Sequence, residues 1–89
     1  MEPNTIVKLK NNDGMKISLG RLAIVVQGKD IYPELYQKLS RAITKTCGVE
    51  NAEQYLSEFI AIEWLDSTIL PNGFYHSVRF EKVKNIAKA

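Results

Sequence analysis

The sequence predicts a small α+β protein with an antiparallel sheet and two helices packed on one face, in the chain order β-β-β-α-α-β. Three observations favour this fold class. Apolar and charged residues alternate near the N-terminus, apolar residues recur at helical spacing in the middle of the chain, and alternation returns near the C-terminus. With 89 residues, we expect one compact domain over residues 1–89, with frayed ends at about 1–4 and 85–89.

The N-terminal third predicts three strands. Thr5 to Lys10 and Met15 to Leu19 both alternate between apolar and charged or polar residues, as half-buried strands do. Between them, the residues Asn11-Asn12-Asp13-Gly14 tolerate positive φ and can close a tight turn, which predicts a β-hairpin. Leu22 to Gln27 is almost continuously apolar and predicts a central strand.

The segment from Asp30 to Thr46 predicts the first helix, because a largely apolar set of residues falls on one face at helical spacing. These residues are Tyr32, Leu35, Tyr36, Leu39, Ala42, Ile43 and Thr46. Asp30 is suited to cap the N-terminus of this helix, and Pro33 fits its first turn. Gly48 is suited to end it.

A second helix is predicted from Asn51 to about Ile62, with Asn51 as its N-cap and Gln54 at the spacing of a capping box. Its predicted buried stripe consists of Ala52, Tyr55, Leu56, Phe59 and Ile62. Phe59 to Leu65 also alternates, so this part of the chain has an alternative reading as a strand. As a strand, it would direct Ile60, Ile62 and Trp64 inward. We favour the helix.

The last strand is predicted from Phe74 to Val83, after a turn at Pro71-Asn72-Gly73. Alternation in this segment places His76, Val78 and Phe80 on one face. The opposite face would then carry Tyr75, Ser77, Arg79 and Glu81.

The chain has few residues suited to catalysis. Cys47 is the single cysteine and His76 the single histidine, and a Cys–His pair can supply a nucleophile and its base. Cys47, however, lies at the predicted C-terminus of a helix, where the helix dipole disfavours a thiolate. No metal-ligand spacing and no glycine-rich phosphate loop is visible in the sequence. We therefore expect a protein that is not an enzyme and that uses no cofactor and no metal.

Composition also bears on the compartment. A single cysteine is typical of a reducing environment, and the N-terminus lacks the apolar core of a signal peptide. The longest wholly apolar run, Leu22 to Val26, is far shorter than the ~20 residues that span a membrane. We expect a cytoplasmic protein that does not enter the membrane.

Compact chains without catalytic motifs are often accessory or regulatory factors, including those of phages and mobile elements.

Charge is distributed unevenly along the chain. Glu50 to Asp66 contains five acids and no Lys or Arg, whereas the remaining residues contain all twelve Lys and Arg and the other five acids. Such a dipole orients partners and speeds their encounter. Large apolar residues follow the acidic segment, and we favour the interpretation that they close the core. The alternative is that they are partly exposed and anchor a partner, since tryptophan is common in binding hot spots. We therefore predict a binding or regulatory domain whose partner is another protein or a second copy of itself, through Glu50, Glu53, Glu58, Trp64, Leu65, Ile69 and Leu70.

An alternative prediction is a nucleic-acid-binding module. Lys8, Lys10 and Lys16 share the outer face of the predicted hairpin, and Lys38, Arg41 and Lys45 form a stripe along the first helix. Together with Arg79 on the last strand, these side chains would contact a phosphate backbone if the fold brought them together.

Overall fold

The computed structural model describes residues 1–66 and 70–88 and contains five strands and three α-helices. The strands are β1 Thr5–Leu9, β2 Leu22–Val26, β3 Phe59–Trp64, β4 Gly73–His76 and β5 Phe80–Asn85. The helices are α1 Gly28–Ile31, α2 Pro33–Cys47 and α3 Val49–Leu56, and short 3₁₀ turns occupy Ser77–Arg79 and Ile86–Lys88.

The predicted fold class is confirmed, since the five strands form one antiparallel sheet with helices packed against it. The strand order is β4-β3-β2-β1-β5. The central position predicted for β2 is also confirmed, because β2 pairs with β1 on one side and with β3 on the other.

The sheet is strongly curled, because its two edge strands are consecutive in the chain. In a flat sheet, β4 and β5 would lie four strand spacings apart, or ~19 Å. The chain from His76 to Phe80 covers at most ~14 Å when fully extended, and less as the observed 3₁₀ turn. The edges therefore approach each other, and the rings of Tyr75 on β4 and Phe80 on β5 lie 6.3 Å apart.

The main hydrophobic core lies on the concave face of this curled sheet. Alternation along β1 directs Val7 and Leu9 into this core and leaves Lys8 exposed. The other fully or nearly fully buried members of the core come from the remaining strands and are Ala23, Val25, Ile60, Ile62 and Phe80.

The predicted hairpin is wrong, because Met15 to Leu19 forms no strand and β1 pairs with β2 instead. The chain between the two strands is an irregular loop, in which the Asn12 side chain donates to the carbonyl oxygen of Ile17 at 2.8 Å. Met15 and Ile17 pack against the core. Their alternation reflects a loop that covers the core of the curled sheet, and a period of two does not distinguish such a loop from a strand.

The second helix is shorter than predicted, and the alternative strand is the correct reading of its C-terminal part. α3 covers Val49–Leu56, and Asn51 lies within its first turn, where its side chain donates to the Cys47 carbonyl oxygen at 3.2 Å. Residues 59–64 form β3, which pairs with β2 and β4. The sheet satisfies the backbone groups of this segment while it buries Ile60 and Ile62, which a helix on the surface would not bury as completely.

The first predicted helix is interrupted at Tyr32, whose backbone leaves the helical region at φ −126° and ψ 60°. Pro33 causes this break, because its ring disfavours helical dihedrals at the preceding residue. Asp30 consequently lies inside the short α1 and caps no helix. The predicted helix end at Gly48 is confirmed, since Gly48 has φ +84° and donates its N–H to the Thr44 carbonyl oxygen.

The last predicted strand is two strands joined by a 3₁₀ turn, so His76, Val78 and Phe80 do not share a face. Val78 lies in the turn and is 58% exposed, whereas Phe80 is buried in the core. A single strand from 74 to 83 could not pass from one edge of the sheet to the other, and the turn at Ser77–Arg79 makes this crossing.

Candidate protein-binding site

The helices pack on the convex face of the sheet, opposite the main core. α1 lies so close to this face that a Cβ atom at Gly28 would overlap the ring of Phe74 and the side chain of Ala61. The ring of Tyr36 on α2 also contacts Phe74, with 5.9 Å between ring centroids. These contacts place α1 and the start of α2 over β3 and β4.

A hydrogen bond fastens the junction between α1 and α2 to the sheet. The Tyr32 hydroxyl donates to Oε2 of Glu63 on β3 at 2.8 Å. This hydrogen bond to a carboxylate raises the pKa of the Tyr32 hydroxyl, and partial burial raises the pKa further. Tyr32 and Glu63 therefore fix the position of the helices relative to the sheet.

The opposite end of the helical layer leaves a groove beside the sheet, which we call the acidic groove. Its volume is about 590 Å³. Its floor is apolar and includes Val26, Phe59 and Phe74 from the sheet. Its wall is the side of α3 that carries Val49, Ala52, Glu53 and Leu56.

The groove exists because α3 packs chiefly against α2 and not against the sheet. The sequence predicts a buried apolar stripe on this helix, but no residue of α3 is fully buried. Val49 is 80% exposed although its side chain lines the groove. An amphipathic helix whose apolar side meets open space has the form of a docking surface.

Acidic side chains mark the α3 side of the groove. Glu53 lines it directly, and Glu50 is exposed in the first turn of the same helix. Lys29 of α1 also lines the groove, and its ammonium lies 5.0 Å from the centre of the Tyr36 ring, a cation–π contact. The groove therefore has apolar side chains on its floor, Glu53 on its α3 wall and Lys29 on its α1 side.

Glu58 follows α3 and contacts the end of β4. Its Oε2 atom lies 3.2 Å from Nε2 of His76, a pair that is ionic only when the imidazole is protonated. Nδ1 of His76 accepts the Val78 N–H at 3.1 Å, and the ring packs edge-on against Phe59 at 5.1 Å. His76 thus has structural partners at both ring nitrogens.

The structure separates the predicted protein-binding residues into two groups. Glu50, Glu53 and Glu58 lie on α3 or directly after it. Trp64 and Leu65 lie at and beyond the far end of β3, ~20 Å from Glu58 at the rise of a strand. Leu70 follows this region in the chain, and Ile69 lies outside the described residues. The acidic side chains are therefore not flanked by the predicted apolar residues around Trp64.

Trp64 is half-buried and closes the core. Its ring contacts Tyr75 at 5.7 Å and Phe80 at 5.8 Å, and its indole N–H donates to the Pro71 carbonyl oxygen at 3.3 Å. The Tyr75 hydroxyl donates to the same oxygen at 2.7 Å. Leu65, in contrast, is 52% exposed. Trp64 thus has a structural role that accounts for its large apolar surface.

The residues of the alternative nucleic-acid site lie on several elements of the fold. Because the predicted hairpin is absent, Lys16 lies in the irregular loop and shares no strand face with Lys8 and Lys10. Lys8 forms an ion pair with Glu81 on β5 at 3.2 Å. The guanidinium of Arg79 donates to the Asn11 and Asp13 carbonyl oxygens at 3.4 and 2.9 Å and so holds the same loop.

The remaining basic residues, Lys38, Arg41 and Lys45, are exposed on α2 as predicted from their spacing. α2 contacts β4, and two strands lie between β4 and the β1 strand that carries Lys8. The predicted basic residues therefore belong to different elements, with Lys8 on β1, Lys10 directly after it, Lys16 in the loop and Lys38, Arg41 and Lys45 on α2.

Sequence reasoning did not assign a binding role to the apolar residues of the acidic groove. Helical spacing identified Ala52, Leu56 and Phe59, but as buried residues of one helix, and it did not identify Val49. No signal in the sequence shows that α3 packs chiefly on α2, because that depends on where β3 begins.

Two further findings concern metals and membranes. Within residues 1–66 and 70–88, no cluster of three or more His, Cys, Asp or Glu side chains could hold a metal ion. In the same part of the chain, no helix has the length and apolar character needed to cross a membrane.

Comparison with known proteins finds no family model, curated protein or solved structure that matches this chain.

Proposed function

We propose that this protein is a non-enzymatic binding module that receives a segment of a partner protein in the acidic groove. The observation that carries this proposal is the position of α3, whose apolar side lines an open groove beside the sheet. Val49, at 80% exposure, is the clearest sign, since a valine at this spacing in an amphipathic helix is normally covered.

The size of the groove indicates what it can hold. Its volume of about 590 Å³ lies in the range of ligand sites, and its floor presents Phe59, Phe74 and Val26. Fully burying one aliphatic or aromatic side chain is worth about 1.5–3 kcal/mol before the costs of association. Two or three apolar side chains of a partner segment would therefore fill the groove and supply most of the affinity.

The charge of the rim indicates the chemistry of the partner. Glu53 lines the groove, and Glu50 lies one helical turn away. These two carboxylates would attract a Lys or Arg that lies near the apolar side chains of the partner. Exposed charges of this kind contribute orientation and association rate more than affinity. The partner is a second copy of this chain or another protein with an apolar segment flanked by basic residues.

A peptide selection tests this function. Random peptides displayed on phage are selected on the immobilised protein, and the enriched peptides are synthesised and titrated. We expect them to combine apolar residues with Lys or Arg. Ala52→Glu, which places a charge inside the groove, should weaken their binding at least tenfold. Gln54→Glu is the matched control, because it adds the same charge on another side of α3 and should leave binding unchanged.

Two results would count against the proposal. One is a selection that enriches no peptide over the background of the phage library. The other is a set of peptides that bind Ala52→Glu and Gln54→Glu equally well, since their site would then lie elsewhere. Circular dichroism of both variants checks that each retains the fold of the parent protein.

A further inference from the structure

A second groove lies between α2 and the edge strand β4, and we call it the β4 groove. Its volume is about 360 Å³, smaller than that of the acidic groove. Leu35, Lys38 and Leu39 of α2 form one wall. Pro71 and the backbone and side chains of residues 72–75 form the other wall. The two grooves share only the ring of Phe74, so they are separate surfaces.

β4 is at the edge of the sheet, and among the described residues no strand pairs with its outer side. The outer edge of a strand presents backbone N–H and C=O groups that can pair with an added strand. The four residues Gly73–His76 give this edge a length of ~13 Å. A helix beside an open sheet edge is the arrangement into which extended peptides bind as an additional strand.

The lining of the β4 groove is mainly apolar, and its one charged residue in the described part of the chain is Lys38. Leu35 is 41% exposed, and together with Leu39 it gives the groove an apolar wall. Lys38 lies between these leucines in the sequence and also lines the groove, and no acid is among its lining residues. Arg41 and Lys45 continue the positive charge along the exposed side of α2.

We propose that the β4 groove binds an extended, acidic segment of a partner protein, which adds to the sheet as a strand beside β4. Backbone hydrogen bonds to β4 hold the segment, and alternate side chains enter the groove, since side chains of a strand point to opposite faces with a period of two. Aliphatic side chains contact Leu35 and Leu39, and an Asp or Glu of the segment pairs with Lys38.

The test uses the full chain labelled with ¹⁵N and with ¹³C at its methyl groups, and a pool of synthetic octapeptides. Every second residue of these peptides is drawn from Asp, Glu, Val, Ile and Leu, so that acidic and aliphatic side chains share one face of the strand, and the residues between them are Ser or Thr. We expect the pool to shift the amide signals of residues 73–76 and the methyl signals of Leu35 and Leu39. A second pool, in which each aliphatic residue is N-methylated, lacks the N–H groups needed for pairing and should bind at least tenfold more weakly.

Charge reversal identifies the side chain that selects the peptide. Lys38→Glu should weaken binding of the acidic pool at least tenfold. The matched control is Lys45→Glu, which makes the same change on α2 ~10 Å further along the helix and outside the groove, and should change binding less than twofold.

The proposal is overturned if the acidic pool leaves the signals of residues 73–76 unchanged, or if the N-methylated pool binds as well as the first. Equal effects of Lys38→Glu and Lys45→Glu would also overturn it, because charge would then act without a defined site. Ala52→Glu should leave binding of this pool intact. If Ala52→Glu abolishes binding of the acidic peptides, these peptides occupy the groove beside α3, which contradicts a separate site at β4.

Discussion

At the scale of single residues, Trp64 and Val49 show that a residue's type does not reveal whether it serves the core or a partner. Trp64, the residue type most common in binding hot spots, packs on Tyr75 and Phe80 and hydrogen-bonds to Pro71. Val49, an ordinary core residue by type, is 80% exposed in the acidic groove. The environment of each side chain decides its role, and only the structure provides this environment.

Tyr32 gives a prediction at this scale. Tyr32→Phe removes the hydrogen bond to Glu63 and should lower the free energy of unfolding by about 0.5–1.5 kcal/mol at neutral pH. The pKa of Tyr32 is raised in the folded protein, so its contribution is complete below the unfolded tyrosine pKa of about 10 and is lost as the pH rises through the folded pKa. Urea denaturation between pH 7 and pH 11 measures the difference.

The difference between wild type and Tyr32→Phe should therefore be constant up to about pH 9 and should shrink above pH 10. A difference that stays constant to pH 11 would show that the hydroxyl proton does not contribute to stability. Tyr55→Phe serves as the neutral-pH control, since Tyr55 is exposed on α3 and its replacement should leave the free energy of unfolding nearly unchanged.

At the scale of secondary-structure elements, strands and helices were predictable where local pattern and tertiary position agree. β1, β2 and the end of α2 at Gly48 follow from alternation, apolar content and a positive-φ glycine. The predicted hairpin failed because the residues after Leu9 cover the core instead of pairing. β3 is ambiguous in the sequence for a related reason. Residues 59–64 fit the apolar spacing of a helix and also the alternation of a strand, and only their pairing with β2 and β4 decides for the strand.

The candidate site was predictable only in part, because it depends on that ambiguous segment. The acids of α3 were identified from charge alone. If the helix had continued to Ile62, Trp64 would have followed the acidic surface directly. The strand instead moves Trp64 to the far end of β3 and opens the groove beside α3. The grooves form between elements distant in the chain, so no local pattern reveals them.

The packing of α1 on the sheet gives a prediction at the element scale. Gly28→Ala places a methyl group against Phe74 and Ala61, and we expect it to destabilise the protein by about 1–3 kcal/mol in urea denaturation. Phe74→Leu in the same chain should relieve part of the overlap. The double variant should then be more stable than the sum of the single effects predicts.

Gly20→Ala is the matched control for this experiment. Gly20 has φ +85° and nothing within 4 Å of an added Cβ, so its replacement introduces backbone strain without overlap. Phe74→Leu should not rescue Gly20→Ala. If Phe74→Leu changes both glycine variants equally, close packing of α1 on β4 is not the source of the destabilisation.

At the scale of the whole molecule, one small sheet carries a helical layer with two separate grooves. Glu50 and Glu53 border the acidic groove on α3, and Lys38 lines the β4 groove on α2. The uneven charge of the sequence thus appears on two neighbouring helices joined at Gly48.

The position of the partner site is determined by a ¹⁵N–¹H titration of the full chain with a peptide enriched by the phage selection. We expect the largest signal changes on α3, at residues 49–56, and on the groove floor at Val26 and Phe59. If the changes instead centre on Trp64, Leu65 and Leu70 and α3 is unaffected, the partner binds at the far end of β3 and not in the acidic groove.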